Sequence, residues 1–183
     1  MKALLRIAHL IDALNERIGR AVSWLILLTV LISAGNAIMR KAFDLSSNAF
    51  LEIQWYLFAA VFMLAAGYTL KRNEHVRIDV ISGRFSKRAQ AWIDIIGSVL
   101  FLLPLAVIIL YFSWPFFINS FTSQEWSNNP GGLILWPAKA LVPASFFLLL
   151  LQGFSEVIKR IGFLLGLEPA EETHSPLGEE GGA

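Results

Sequence analysis

Four long apolar runs set the pattern of the chain. Val22 to Met39 carries no charge between Arg20 and Arg40. It is long enough to cross a bilayer core of roughly 30 Å as a helix. The second run, about Phe50 to Leu70, has one charge near its start, Glu52, and ends on Lys71 and Arg72. The third runs from about Ala91 to Phe112, with Asp94 near its start and Pro104 inside it; a proline there predicts a kink. The fourth spans about Pro137 to Arg160. Pro137 suits a first helical turn, whereas Pro143 sits further in, where its missing N–H costs a backbone bond. Between the third and fourth runs, Trp114 to Trp136 reads as an aromatic-rich loop with a turn at Asn129-Pro130-Gly131-Gly132. The expected fold class is an all-α membrane protein with four transmembrane helices.

Three segments flank these runs. Residues 1–20 lack the layout of a signal peptide, because charges are spread through them. Leu4, Ala8, Ile11, Leu14 and Ile18 recur at three- and four-residue steps, which predicts an amphipathic helix with Arg6, Asp12 and Glu16 mostly on other faces. The favoured placement is in the membrane interface; the alternatives are packing on a partner or a simple extension of the first membrane helix. Between helices two and three, Ile81 to Arg88 mixes Ile81 and Phe85 with Arg84, Lys87 and Arg88, and suits an anionic inner leaflet. After Gly166 the chain is acidic and rich in glycine. The expected organisation is one membrane domain over residues 1–166, with helices at about 22–39, 50–70, 91–112 and 137–160, and a disordered acidic tail over 167–183.

Composition agrees with the pattern: of 183 residues, 56% are hydrophobic and 16% charged, with a mean hydropathy of +0.60. A soluble domain has about a quarter of its residues charged. The basic residues are unevenly placed. Twelve lie in the amino-terminal segment, the connection between helices two and three, and the end of helix four; only Arg40, Lys41 and Lys139 lie on the other side. The positive-inside rule then puts both termini in the cytoplasm and the aromatic loop outside.

Several chemistries are disfavoured. With no cysteine there are no disulfides and no thiolate metal sites. His9, His75 and His174 lie at the interface or in the tail rather than inside membrane helices, where axial haem ligands belong. No nucleotide motif, metal-ligand spacing or nucleophile elbow is present. No cofactor and no nucleic-acid partner is expected. Helix centres hold no ionisable residue, and Glu52, Asp94, Lys139 and Glu156 all lie near ends. An ion path through the chain itself needs such residues at depth.

The candidate functional residues are therefore contacts. Glu52 opens helix two, close in topology to Arg40 and Lys41, with which an ion pair is expected. His75, Arg77 and Asp79 form a compact polar group just past helix two; they share one side if the segment is extended. That group is either a partner contact or brace, or a solvated cap. Gly67 and Gly153, with Ser33 and Gly35, allow close helix approach, within the chain or against a partner.

Taken in order, Glu52, the aromatic and small-residue run after it, His75-Val76-Arg77-Ile78-Asp79, Trp136-Pro137, Pro143 and Leu151-Gln152-Gly153 resemble the small membrane subunit of tripartite ATP-independent periplasmic (TRAP) transporters. The resemblance covers about residues 15–165. It implies a large membrane subunit and a periplasmic solute-binding protein as partners, besides the lipid bilayer. It also implies sodium-coupled uptake of a carboxylate-type solute, with the solute and ion sites in the large subunit and this chain as scaffold. The remaining readings are a membrane anchor for a redox enzyme and a free-standing membrane interaction protein.

Overall fold

A computed structural model describes residues 1–44, 47–72 and 85–167. Four of its helical stretches are long and apolar enough to cross a membrane: Lys2–Phe43, Asn48–Lys71, Lys87–Thr122 and Trp136–Leu164. The first is one unbroken helix, α1 (Lys2–Phe43). At 1.5 Å per residue it is about 60 Å long, twice the bilayer core. The amphipathic segment is thus an extension of the first span, and no turn lays it flat on its own. α1 stops at Asp44, whose φ of 53° is left-handed, with Arg40 and Lys41 in the last turn beside the negative end of the helix dipole.

The second span is α2 (Asn48–Leu64) followed, after a break at Ala65, by α3 (Ala66–Lys71). The third begins at α4 (Lys87–Gly97), whose N-cap Ser86 accepts a hydrogen bond from the Ala89 amide. A π-helical turn, Ser98–Leu102, leads into α5 (Leu103–Thr122). Pro104 cannot donate to the Leu100 carbonyl, and the wider π turn carries the chain past that missing bond. The expected distortion at Pro104 takes this form. α5 runs on through Pro115 to Thr122, so Trp114 to Thr122, expected in the loop, are helical. Phe117, Phe121 and Trp136 pack ring to ring across that end and supply the apolar contacts that extend the helix. α6 (Trp136–Leu164) closes the fold.

α6 packs against every other helix. It runs antiparallel to α1 and to α4–α5, as short connections between successive spans require. Its apolar window is 33% buried, against 6–11% for the other three spans. What is buried is mostly polar or small. Among the described residues the buried apolar side chains include Leu5, Ala8, Val22, Ala60, Ala91, Ala106 and Leu148. The enclosed polar ones are Asp12, Asn15, Ser113, Ser120, Ser145, Gln152, Ser155, Glu156 and Lys159. Large apolar residues such as Trp24, Trp55, Phe62, Phe101 and Tyr111 point outward. Such an inside-out distribution fits lipid: tails offer apolar groups no reason to hide, and polar groups no partners.

The inversion extends to residues 1–20. The face that packs inward is Leu5, Ala8, Asp12, Asn15, Gly19 and Val22, at alternating steps of three and four. Leu4, Ile7, Leu10 and Leu14 are exposed.

Candidate functional site

Polar side chains gather in two layers, one at each end of the bundle. The loop layer is built on α2. Glu52, in the second turn, accepts hydrogen bonds from the Ser127 hydroxyl, from Asn129 Nδ2 at 2.8 Å and from the Leu133 amide at 2.6 Å. One turn earlier Asn48 Nδ2 donates to the Pro130 carbonyl at 2.9 Å; one turn later the Tyr56 hydroxyl donates to the Ile134 carbonyl at 3.2 Å. Asn48, Glu52 and Tyr56 stand four residues apart and so share one helix face.

The loop is shaped to meet that face. Its turn closes with the Gly132 amide on the Asn129 carbonyl at 2.9 Å, with Pro130 second and Gly131 third at φ +70°. Those are the residues a type II turn requires. The backbone at Gly132 lies so close that a Cβ there would sit 2.8 Å from Glu52 Oε1. The Lys139 ammonium pairs with Glu125 and holds its carboxyl below the usual carboxylate range. It also lies 4.3 Å from the centre of the Phe116 ring, within cation–π reach. Glu52 is therefore satisfied by the loop. The expected ion pair with Arg40 or Lys41 is not among the described contacts, and both of those residues are exposed.

The second layer lies at the end of the bundle that carries the N-terminus. Gln152 of α6, fully buried, is its centre. Its Nε2 donates to Asp12 Oδ1 at 2.8 Å and to Glu156 Oε1 at 3.0 Å, and its Oε1 accepts from Asn15 Nδ2 at 2.8 Å. The Ser155 hydroxyl bonds Asp12 Oδ1 at 2.7 Å and the Ala8 carbonyl at 3.1 Å. Lys159 Nζ stands between Asp12 Oδ2, at 3.0 Å, and Glu156 Oε1, at 2.7 Å. Further out, Glu16 of α1 meets Lys71, Arg72 and Arg20, and Arg160 of α6 meets Asp94 of α4. The layer thus ties α1, α3, α4 and α6 together.

Two glycines of the sequence reading sit inside this packing. A Cβ on Gly67 would lie 2.5 Å from Asn15 Oδ1, and one on Gly153 would lie 2.9 Å from Leu103 Cδ2. Both contacts are within the chain. Asn15 Oδ1 has no hydrogen-bond partner among the described residues. His75, Arg77 and Asp79 lie outside the described residues. Asp12, Asn15, Gln152, Ser155 and Lys159 escaped the sequence reading as a site. Their signal is a polar stripe at three- and four-residue steps on two membrane helices.

Chemically, both layers bind helix to helix or helix to loop. Among the described residues no three His, Asp or Glu side chains form a group suited to a metal ion.

A family model described as "Tripartite ATP-independent periplasmic transporters, DctQ component" matches residues 29–162. No curated protein and no solved structure matches the chain.

Two substitutions test the layers. Lys159→Met strips Asp12 and Glu156 of their shared ammonium, and lowers the unfolding free energy in micelles by about 3–5 kcal/mol, as for other broken buried ion pairs. A loss under about 1 kcal/mol would show that the cluster does not hold α1 on α6. Glu52→Gln sets an amide NH2 among the loop's donors, and speeds hydrogen exchange at the Leu133 amide. Unchanged exchange there would remove Glu52 as the anchor of the loop.

Proposed function

Because the chain belongs to the family of DctQ components of tripartite ATP-independent periplasmic transporters, we propose that it is the scaffold subunit of such a system. It supports a large membrane subunit in the ion-gradient-driven uptake of a carboxylate-type solute that a periplasmic binding protein delivers. The family is a transporter component, not an enzyme class, and with four spanning helices the chain is a multi-pass inner-membrane protein.

The observation that carries the scaffold reading is where charge stops. Residues 21–39, 53–70, 95–122 and 140–155 hold no Asp, Glu, Lys or Arg. Asp12, Glu156, Lys159 and Glu52 stand in the two end layers, engaged with neighbouring helices or the loop. A coupled transporter binds its ion and solute near the bilayer midplane, commonly at broken helices. The middle of this bundle offers small and apolar residues there, such as Ala60, Ala106, Ser145 and Leu148. Large apolar side chains cover the outside. A neighbouring membrane subunit can seat on such a surface without exposing a polar group.

The test is assembly and transport together. Reconstituted alone, the chain gives no sodium-dependent solute uptake; expressed with its genomic neighbours, it co-purifies with a larger membrane subunit, and the pair transports when the binding protein is added. Uptake by the isolated chain would falsify the scaffold reading, and so would transport by the large subunit undiminished without it.

The orientation proposed is both termini cytoplasmic, from twelve basic residues against three. Since the chain has no cysteine, single cysteines at Ala3 and Asn128 report cleanly. An impermeant thiol reagent added to intact cells labels Asn128→Cys and spares Ala3→Cys. The reverse pattern overturns the orientation.

A further inference from the structure

A cavity of about 620 Å³ opens at the N-terminal end of the bundle, between α1, α3 and α6. Arg17 and Arg20 of α1 and Lys71 of α3 line it, with Glu16 in the same wall and Phe163 of α6 beside them. Glu16 accepts from Arg20 at 3.0 Å and from Lys71, so one carboxylate is shared between cations. The other carboxylate in the wall, Asp12, is committed to Lys159, Gln152 and Ser155. Arg17 makes no ion pair among the described residues. Among the described residues, Arg17, Arg20 and Lys71 thus face a single carboxylate, and the described wall of the cavity has an excess of positive charge. Guanidinium groups bind phosphate oxygens through paired N–H donors, which makes two arginines and a lysine a suitable phosphate cradle.

The place of the cavity selects the phosphate. Arg20 immediately precedes the charge-free stretch of α1, and Lys71 ends the second span. The cavity therefore sits at headgroup depth, where basic pockets between membrane helices take anionic lipids. The surface on its bilayer side is apolar: Trp24 and Leu27, on the same face of α1 as Arg17 and Arg20, are 72% and 50% exposed. A soluble anion has no use for that surface, whereas acyl chains do. We infer that this cavity binds the phosphate headgroup of an anionic phospholipid, with Arg17, Arg20 and Lys71 as its ligands and Trp24 and Leu27 against its acyl chains. This site stands apart from the transport reading, and its test contains no transport step.

The experiment uses the full chain purified in an uncharged detergent. Short-chain phosphatidylglycerol, phosphatidylcholine of the same acyl length and inorganic phosphate are titrated separately, with bound lipid counted by native mass spectrometry and melting temperature followed in parallel. Phosphatidylglycerol binds and raises the melting temperature; phosphatidylcholine binds about tenfold more weakly or worse; phosphate alone does neither. Arg17→Gln/Arg20→Gln lowers the phosphatidylglycerol affinity about tenfold, as expected for two basic residues facing an anionic lipid. Arg40→Gln/Lys41→Gln, at the opposite end, leaves it unchanged. Should the double variant fold poorly, Arg17→Gln alone serves, since that side chain makes no ion pair among the described residues, and it lowers the affinity severalfold. Equal binding of the two lipids, or an undiminished affinity in the arginine variants, overturns the site. Protection by phosphate equal to that by phosphatidylglycerol overturns the lipid assignment in favour of a soluble anion.

Discussion

A polar group inside hydrocarbon has no water to turn to, so it must find its partner within the protein. Gln152 is the residue at which this constraint shapes the bundle. Its amide is fully enclosed and is used in both directions, donating to two carboxylates and accepting from Asn15. Asp12 and Asn15 belong to α1, while Glu156 belongs to the helix of Gln152 itself. A sliding or rotation of α1 on α6 would strand several of these groups at once. Buried ion pairs contribute little net stability compared with apolar residues, but removing one partner is costly. The cluster therefore acts chiefly on register, fixing where the long first helix lies on the helix that touches all others.

The opposite end follows the same logic with different materials. There α2 presents Asn48, Glu52 and Tyr56 to a loop whose backbone would otherwise leave donors and acceptors at the edge of the membrane. A carboxylate is well suited to this role because it accepts several bonds at once. The two layers leave a charge-free middle, a division that suits the proposed scaffold role. Polar recognition within the chain is confined to the ends, while the lateral surface stays apolar enough for lipid or another membrane subunit. The exposure of Trp55, Phe58 and Phe62 along α2 and of Phe101, Leu105 and Ile108 from the π turn into α5 shows how little of that surface the chain itself covers.

Much of this was legible in the sequence. The four spans follow from charge-free runs, because hydrocarbon thickness imposes a length no other constraint shares. The Asn129–Gly132 turn follows from its Pro-Gly pair, and Glu52 stood out as a lone charge on a membrane helix. Its partners were misjudged because topological nearness favoured Arg40 and Lys41, whereas the loop folds back over α2 and arrives with three donors. For residues 1–20 the interfacial placement gave way to the alternative of a straight extension of the first span, and the inward face was not identified. A pattern of apolar residues at helical steps marks the buried face in water. Here the buried stripe is the polar and small one, Ala8, Asp12, Asn15 and Gly19, because the surroundings of the exposed stripe are apolar. The extra turns at the end of α5 were hidden by Pro115 and by aromatics that read as a boundary loop, yet those rings pack on Trp136 and carry the helix on.

Small residues and the polar network depend on one another. Hydrogen bonds between side chains as short as those of Asn and Ser need backbones that approach closely, and only small residues allow that. Gly67 brings α3 against Asn15, and Gly19 brings α1 against the Tyr68 ring, where a Cβ would fall 2.5 Å from the ring carbon Cγ. Tyr68 in turn lies under the Arg72 guanidinium, 5.2 Å from ring centre to charge, and Arg72 reaches Glu16. So the glycine contacts set the spacing between α1 and α3, that spacing sets the reach of Glu16 to Lys71 and Arg72, and that reach places the cations around the open cavity. A larger residue at Gly19 would therefore act on the charge layer through geometry alone, without touching a charged group.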